Sequence, residues 1–353
     1  MELNAEIKVN AKESYPVEEM VFGHFIEHLG RCIRDGIWDE RELDIPREFG
    51  MVRKDVFDAM KALRPPVIRY PGGCFSDTYH WRDGIGPTDR RPRRFNRAWW
   101  RLKFPYTAFE NNHFGTDEFV ELCQRLGAEP YININFGSGS PKEAAEWVEY
   151  CNAPTGTKLA DERAENGHPK PYGAKFWGIA NEVWGFHEVG FCISGAQYAR
   201  RYMPFHEAMK AADPEIKTVA VGSNRWFPLW NKGFLRRAGR FCDYLSVHEY
   251  VTGPNPLHQT FYTGFPETER AYYAMVAGAE MLKDTVSWAR GQIVDEMGED
   301  SAVKIAFDEW NAWWGEGQLI RAENYTLRDG IMTACTLSHL VKMSPFVGMA
   351  NFA

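Results

Sequence analysis

The chain lacks the usual marks of a secreted, membrane-embedded or nucleic-acid-binding protein. Its 353 residues include seven cysteines, an odd number without a CxxC pair, which indicates neither a disulfide framework nor a zinc ribbon. No apolar run approaches the roughly 18 residues of a membrane helix, and the N-terminus lacks the apolar core of a signal peptide. The net charge of −7 does not favour nucleic acid or an anionic membrane as partner. These absences predict a reduced, cytoplasmic protein.

Aromatic residues are abundant: Phe, Trp and Tyr make up 14% of the chain, and several stand beside polar residues. Flat rings serve as platforms in carbohydrate sites, although a large core also uses them.

Short β-rich runs alternate with helical patterns, which indicates βα units and a parallel sheet. The predicted strands are 21–28, 66–72, 129–137, 175–182, 217–223, 244–250, 304–310 and 345–352. The clearest helices between them are 116–127, 140–152, 196–213 and 325–343. Eight strands predict an α/β fold, the (β/α)8 TIM barrel. The Arg- and Pro-rich loop 84–101 is expected at the mouth of its active site.

Polar residues follow the predicted strands, where barrel enzymes carry their catalytic groups. Strand alternation places Phe25 and Glu27 on one face of the first strand. In the seventh strand it places Glu309 on the face opposite Asp308. The side chains expected to converge on the barrel axis are Glu27, Glu182, His248, Tyr250 and Glu309.

Two carboxylates across a pocket can hydrolyse a glycosidic bond, one as a protonated acid and the other as an anion. A single glutamate at a strand end is more often structural, but two such glutamates after strands four and seven favour catalysis. The apolar neighbours Val183 and Trp184 are expected to keep Glu182 protonated. Arg69 and Tyr250 are expected to hold Glu309 ionised.

Six segments resemble the α-L-arabinofuranosidases of glycoside hydrolase family 51, in the order that the family has. They are FGHFIEHLGRCIRDGIWDE, VIRYPGGCFSDTYHWRDGIGP, FGTDEFVELCQRLGAEPYININFGSG, FWGIANEVWG, SVHEY and IAFDEWNAWW, between residues 22 and 314. The resemblance implies a retaining, exo-acting enzyme that releases terminal arabinofuranosyl residues from arabinan, arabinoxylan or their oligosaccharides. It implies no cofactor and a homo-oligomer, often a hexamer.

Residue by residue, the resemblance implies that Glu182 is the acid/base and Glu309 the nucleophile. Asn181 would bind the sugar 2-hydroxyl, and Glu27 would accept hydrogen bonds from furanose hydroxyls. The other residues expected around the sugar are Phe25, Arg69, Cys74, Trp99, His248, Tyr250 and Trp313. Some members carry Asn at the position of Cys74, and Ala180 replaces the usual glycine before Asn181.

The family also has a sugar-contacting glutamine, an eighth helix and a β-sandwich beyond the eighth strand. The chain stops at Ala353, one residue after the predicted strand. We therefore expect residues 1–18 to hold a strand of a β-sandwich that is otherwise absent. Residues 19–353 are expected to form the catalytic barrel without its last helix.

Three alternatives stay open. HFIEH, from His24 to His28, matches the HxxEH pattern of zinc peptidases, but that pattern works on a helix and these flanks favour a strand, so no metal is expected. A barrel that binds sugar without catalysis is the second. The third is another retaining specificity of the same clan, a β-xylosidase or an endo-glucanase.

Overall fold

Eight parallel strands close into a barrel in the computed structural model, which describes residues 14, 16–41, 44–100, 108–251, 268–313 and 325–353. Strand β1 closes the barrel by pairing with both β2 and β8. The strands are β1 (Gly23–Phe25), β2 (Val67–Tyr70), β3 (Glu129–Ile134), β4 (Phe176–Ile179), β5 (Lys217–Val221), β6 (Tyr244–Val251), β7 (Lys304–Ala312) and β8 (Val347–Phe352). The predicted (β/α)8 fold is confirmed.

Helices cover the outside of the barrel. Their bounds are α1 (Lys54–Leu63), α2 (Thr116–Leu126), α3 (Pro141–Asn152), α4 (Lys158–Glu165), α5 (Gly195–Ala212), α6 (Pro228–Ala238), α7 (Glu269–Met297) and α8 (Leu327–Lys342). The four helices predicted from the sequence are all present. Ser140 caps α3, since its hydroxyl accepts a hydrogen bond from the Glu143 amide and Pro141 occupies the first helical position.

The first strand is shorter than predicted, because Glu19–Phe22 form a 3₁₀ turn before it. Of residues 1–18, which were expected to hold a β-sandwich strand, 1–13 and 15 lie outside the described residues, so the proposed domain division stays a prediction. None of the helices in the described ranges is long and apolar enough to cross a membrane.

The barrel interior changes from apolar to polar along its axis. A layer of buried apolar side chains fills one end, namely Val67, Tyr131, Phe176, Val219, Ala306 and Met349. Gly178 in β4 leaves space above that layer, because a Cβ there would lie 1.9 Å from the Asn133 amide and 3.0 Å from the Tyr131 hydroxyl oxygen. This space lets the Tyr131 hydroxyl reach the polar layer and donate to Asp308 Oδ2 at 2.7 Å.

An irregularity in β7 alters the predicted pattern of side chains. Ser246 pairs with Ala306, but His248 pairs with Glu309, so β7 gains one residue relative to β6. Such a bulge puts two consecutive side chains on the same face of a strand. Asp308 therefore points into the barrel with Glu309, and the prediction that the two face opposite ways is wrong.

Candidate active site

The backbone after β4 takes an unusual course that directs Glu182 into the barrel. Ala180 has φ +83° and Glu182 has φ +43°, both in the left-handed region that favours glycine. A non-glycine residue there costs of order 1–2 kcal/mol. The family that the sequence resembles usually has glycine at the position of Ala180. In this chain the methyl group of Ala180 makes the backbone conformation strained. Strain of this kind is concentrated at functional sites.

Glu309 is held on both of its oxygens. Arg69 Nη1 donates to Oε2 at 2.9 Å, and the Tyr250 hydroxyl donates to Oε1 at 2.7 Å. Arg69 is itself fixed, because its Nη2 donates to Asn181 Oδ1 at 2.7 Å and its guanidinium lies 4.9 Å from the centre of the Phe25 ring. The carboxylate of Glu309 therefore has a defined direction and a cationic partner.

His248 joins the two glutamates. Its Nδ1 lies 3.0 Å from Glu182 Oε1 and 3.3 Å from Glu309 Oε2. Burial alone would lower the pKa of His248, but the charge of Glu309 and the hydrogen bonds to Asp308 and Glu182 raise it to about 10. The ring is thus an imidazolium near neutral pH, with its Nδ1 proton between the two carboxylates.

Asp308 contacts the other ring nitrogen of His248, a role that strand alternation did not predict. Its Oδ1 lies 3.3 Å from His248 Nε2 and accepts from the Ser246 hydroxyl at 2.7 Å. Burial opposes the ionisation of Asp308, but Arg69 and His248 lower its pKa to about 2. The bulge in β7 would have been difficult to read from the sequence, since no glycine or proline marks it.

The expectation that apolar neighbours keep Glu182 protonated is wrong for this structure. Burial would raise the pKa of Glu182, but the hydrogen bond and the charge of His248 lower it below its ordinary value. The Trp184 side chain is held by a hydrogen bond from its Nε1 to the Gly222 carbonyl at 3.1 Å. The charge and the hydrogen bond of His248 therefore favour the ionised form of Glu182.

Glu27 is positioned by the loop predicted at the mouth of the site. Its Oε1 accepts from the Phe75 amide at 3.1 Å and from Trp99 Nε1 at 2.9 Å. Gly72 makes this possible, because a Cβ there would come within 2.5 Å of the Glu27 side chain. Trp313, after β7, packs edge-on against Tyr250, with ring centres 5.1 Å apart.

Cys74 faces a cluster that was not predicted. Its thiol donates to Glu188 Oε1 at 2.7 Å, and its sulfur lies 4.0 Å from Asn181 Nδ2. His187 Nε2 is 3.3 Å from the same Glu188 oxygen. The sequence could have indicated this cluster through the adjacent His187 and Glu188, five and six residues after the acid/base candidate.

The two histidines of the HxxEH pattern lie in separate surroundings. His24 belongs to strand β1 and its ring contacts the ring of Phe352. His28 Nδ1 lies 3.2 Å from Glu110 Oε2. The segment is not helical, so the pattern lacks the geometry that a zinc peptidase requires.

The spacing of the two catalytic candidates defines the class. One carboxylate oxygen of Glu182 and one of Glu309 lie within 4.8 Å of each other. Retaining glycosidases place their carboxyl groups about 5–5.5 Å apart, whereas inverting enzymes leave about 6.5–9.5 Å for a water. A parallel barrel with this pair at strands four and seven is the architecture of a retaining glycoside hydrolase.

Comparison with known proteins agrees with this class. Residues 59–265 match the family model of the alpha-L-arabinofuranosidase 1 domain. The probable alpha-L-arabinofuranosidase C of Aspergillus fumigatus is 38% identical over 94% of this chain and 65% of its own length. The intracellular exo-alpha-L-arabinofuranosidase of Bacteroides ovatus is 36% identical over 99% of this chain and 67% of its own length.

Solved structures lead to the same family. The alpha-L-arabinofuranosidase of Thermotoga maritima in its arabinose complex has a TM-score of 0.82 and 41% identity, over 96% of this chain and 64% of that one. The GH51 arabinofuranosidase of Xanthomonas axonopodis pv. citri has a TM-score of 0.86 and 32% identity, over 96% and 67%. The chain belongs to the glycoside hydrolase family 51 α-L-arabinofuranosidases, and it spans about two thirds of the length of these relatives.

Proposed function

We propose that this protein hydrolyses terminal α-L-arabinofuranosyl bonds with retention of configuration. The observation that carries the proposal is the approach of Glu182 and Glu309 to within 4.8 Å at the carboxyl ends of the barrel strands. That gap leaves no room for a water between the two groups and the sugar, which favours a covalent intermediate over direct attack by water.

Glu309 acts as the nucleophile in this proposal. Arg69 and Tyr250 direct its oxygens, so that one oxygen attacks the anomeric carbon while the bond to the leaving oxygen breaks. The product of this step is an arabinosyl ester of Glu309. Buried donors arranged before the substrate binds cost no reorganisation during the reaction.

Glu182 acts as the acid/base, and His248 holds the proton that it delivers. The imidazolium first passes its Nδ1 proton to Glu182 Oε1 across their 3.0 Å hydrogen bond. The protonated Glu182 then gives that proton to the leaving oxygen as the bond to the anomeric carbon breaks. In the second step Glu182 removes a proton from water, which attacks the ester, and His248 recovers that proton. Asp308 and Ser246 serve as positioning residues, because they fix the imidazole from its other nitrogen.

The sugar contacts follow from the groups around this pair. Since Arg69 occupies the amide oxygen of Asn181, the amide NH2 is the group available to donate to a sugar hydroxyl. Glu27 offers a buried carboxylate as an acceptor of hydroxyl hydrogen bonds. The residues proposed to line the pocket around them are Phe25, Cys74, Trp99 and Trp313.

Exo action, arabinan or arabinoxylan as the natural polymer, a cytoplasmic location and assembly into a homo-oligomer also belong to this proposal. They are supported by the resemblance, and the relative from Bacteroides ovatus is named as intracellular and exo-acting. Fractionation of the native host and light scattering on the purified protein test location and subunit number.

A panel of aryl glycosides tests the proposed activity. We expect turnover of the α-L-arabinofuranoside, an α-configured first product in proton NMR, and no comparable turnover of β-xyloside or β-glucoside. Glu309→Ala should abolish turnover, because it removes the carboxylate that forms the ester. A preference for β-xyloside or β-glucoside would favour the other specificities of the clan, and inactivity on every member would favour a sugar-binding barrel.

A further inference from the structure

A second cluster of ligand-type side chains lies beside the proposed acid/base. Cys74, Glu182, His187 and Glu188 each place one sulfur, oxygen or nitrogen atom within 4.8 Å of the others. They come from the segment after β2 and the turn after β4. The turn brings His187 and Glu188 back towards Glu182, since the Gly185 amide donates to the Glu182 carbonyl and the Glu188 amide donates to the Gly185 carbonyl.

The types of ligand atom in this cluster favour certain metal ions over others. One thiolate, one imidazole and two carboxylates form a ligand set that Zn²⁺ binds in tetrahedral geometry. Bond lengths of about 2.0–2.3 Å imply ligand atoms about 3.3–3.8 Å apart. His187 Nε2 and Glu188 Oε1, at 3.3 Å, already have this spacing. The thiol of Cys74 would release its proton and move off its 2.7 Å contact with Glu188.

Electrostatics at this cluster also favours a cation. Glu188 is 6% exposed, and within the part of the chain that the structure describes its side chain contacts the Cys74 thiol and His187 but no Lys or Arg. A buried carboxylate without a permanent cationic partner is costly, and a bound divalent cation would compensate it.

We infer that Cys74, His187 and Glu188, with Glu182 as the fourth ligand, form a site for one thiophilic divalent cation of the Zn²⁺ type. Occupancy takes the Glu182 carboxylate away from the glycosidic oxygen, so the ion inhibits rather than assists hydrolysis. The binding site stands on its own geometry, whereas the inhibition rests on the proposed role of Glu182. Hard cations such as Mg²⁺ prefer oxygen ligands and are excluded by the thiolate and imidazole.

Cadmium titration of the purified protein tests the site directly. Cd²⁺ bound to a thiolate gives an ultraviolet charge-transfer band, and we expect one equivalent whose binding depends on His187. His187→Gln removes a ligand whose side chain is exposed, so folding should be preserved. The substitution should weaken the affinity for that cadmium ion by at least about tenfold, because removal of even an outer-shell partner weakens metal binding this much. Cys74→Ser should abolish its band.

His339→Gln is the matched control, because His339 also pairs with a glutamate, Glu280, but on the outer helices. It should bind cadmium as the wild type does. In assays, ZnCl2 but not MgCl2 should inhibit the wild type, and EDTA should restore it. Relative to its own activity without metal, His187→Gln should need at least about tenfold more zinc for the same inhibition.

Identical cadmium isotherms for wild type and His187→Gln would overturn the site, whatever the activity. Saturable His187-dependent binding without inhibition would refute only the statement that Glu182 is a ligand. If the chain proves inactive on every glycoside, the titration still decides the metal site.

Discussion

His248 and Glu182 are joined by a 3.0 Å contact between Nδ1 and Oε1, and this contact fixes where the proton of the resting site lies. Because three carboxylates surround the imidazole, the proton is held by the ring and shared towards Glu182. Removal of Glu182 therefore removes the route from this proton to the leaving group, but not the nucleophile.

Glu182→Ala should discriminate between leaving groups. Substrates with an acidic phenol need little protonation, so their cleavage should fall far less than that of substrates with poor leaving groups. The measurement is a plot of kcat/KM against leaving-group pKa for the wild type and the variant. Equal losses across the series would contradict the role of Glu182, and Glu249→Ala, altered on the outer face of β6, serves as the control.

Asp308→Asn should shift the pH dependence of activity. Asp308 helps to raise the pKa of His248 to about 10, so its loss lowers that pKa. The reactive form carries the proton and exists below the pKa, hence the basic limb of kcat/KM should move to lower pH, by about one pH unit or more. Asp295→Asn, at an exposed ion pair with Lys232, should leave the profile unchanged. If the basic limb does not move in Asp308→Asn, then Asp308 does not raise the pKa of the group that supplies the proton.

Arg69→Met should destabilise the barrel as well as inactivate it. Arg69 is 1% exposed and contacts Glu309 and Asp308, so its removal leaves buried carboxylates without their cation. The expected loss in the free energy of unfolding is about 3–5 kcal/mol, read from urea denaturation. Arg236→Met breaks the surface pair with Glu296 and should destabilise the protein far less, because water screens that pair. Comparable losses in the two variants would show that the buried network contributes little.

Ala180→Gly should stabilise the protein. Glycine adopts φ +83° without the steric cost that the methyl group imposes, although it also gives the unfolded chain more freedom. We expect a net gain of up to about 1 kcal/mol, with activity retained. In helix α5, by contrast, Ala199→Gly should lose about 1 kcal/mol. If Ala180→Gly is instead less stable, the packing of the methyl group contributes more to stability than the backbone strain costs.

Much of the fold could be predicted because strand and helix periods are local properties of the sequence. Every barrel strand was found within a few residues, and helices α2, α3, α5 and α8 were located from their apolar spacing and caps. Strand alternation placed His248 and Tyr250 on one face of β6. Glu309 faces the barrel because of the bulge in β7, and Glu27 lies beyond the end of β1. The family resemblance supplied Asn181, Cys74, Trp99 and Trp313.

What could not be predicted depends on contacts between distant segments. Alternation fails at Asp308 because the bulge arises from the pairing of β7 with β6. The ionisation of Glu182 was misjudged because His248, 66 residues away in sequence, outweighs the local apolar neighbours. Cys74 and Glu188 meet only when two strand-end segments fold together.

The central claim is that Glu309 forms a covalent bond to the sugar and Glu182 helps to break it. Glu182→Ala, mixed with an aryl α-L-arabinofuranoside that carries a good leaving group, should accumulate the ester, because water attack lacks its base. Intact-protein and peptide mass spectrometry should find one added arabinosyl unit on the peptide that contains Glu309, and the fragment ions should place it on that residue. An adduct on Asp308, or no adduct together with a β-configured first product, would contradict the account.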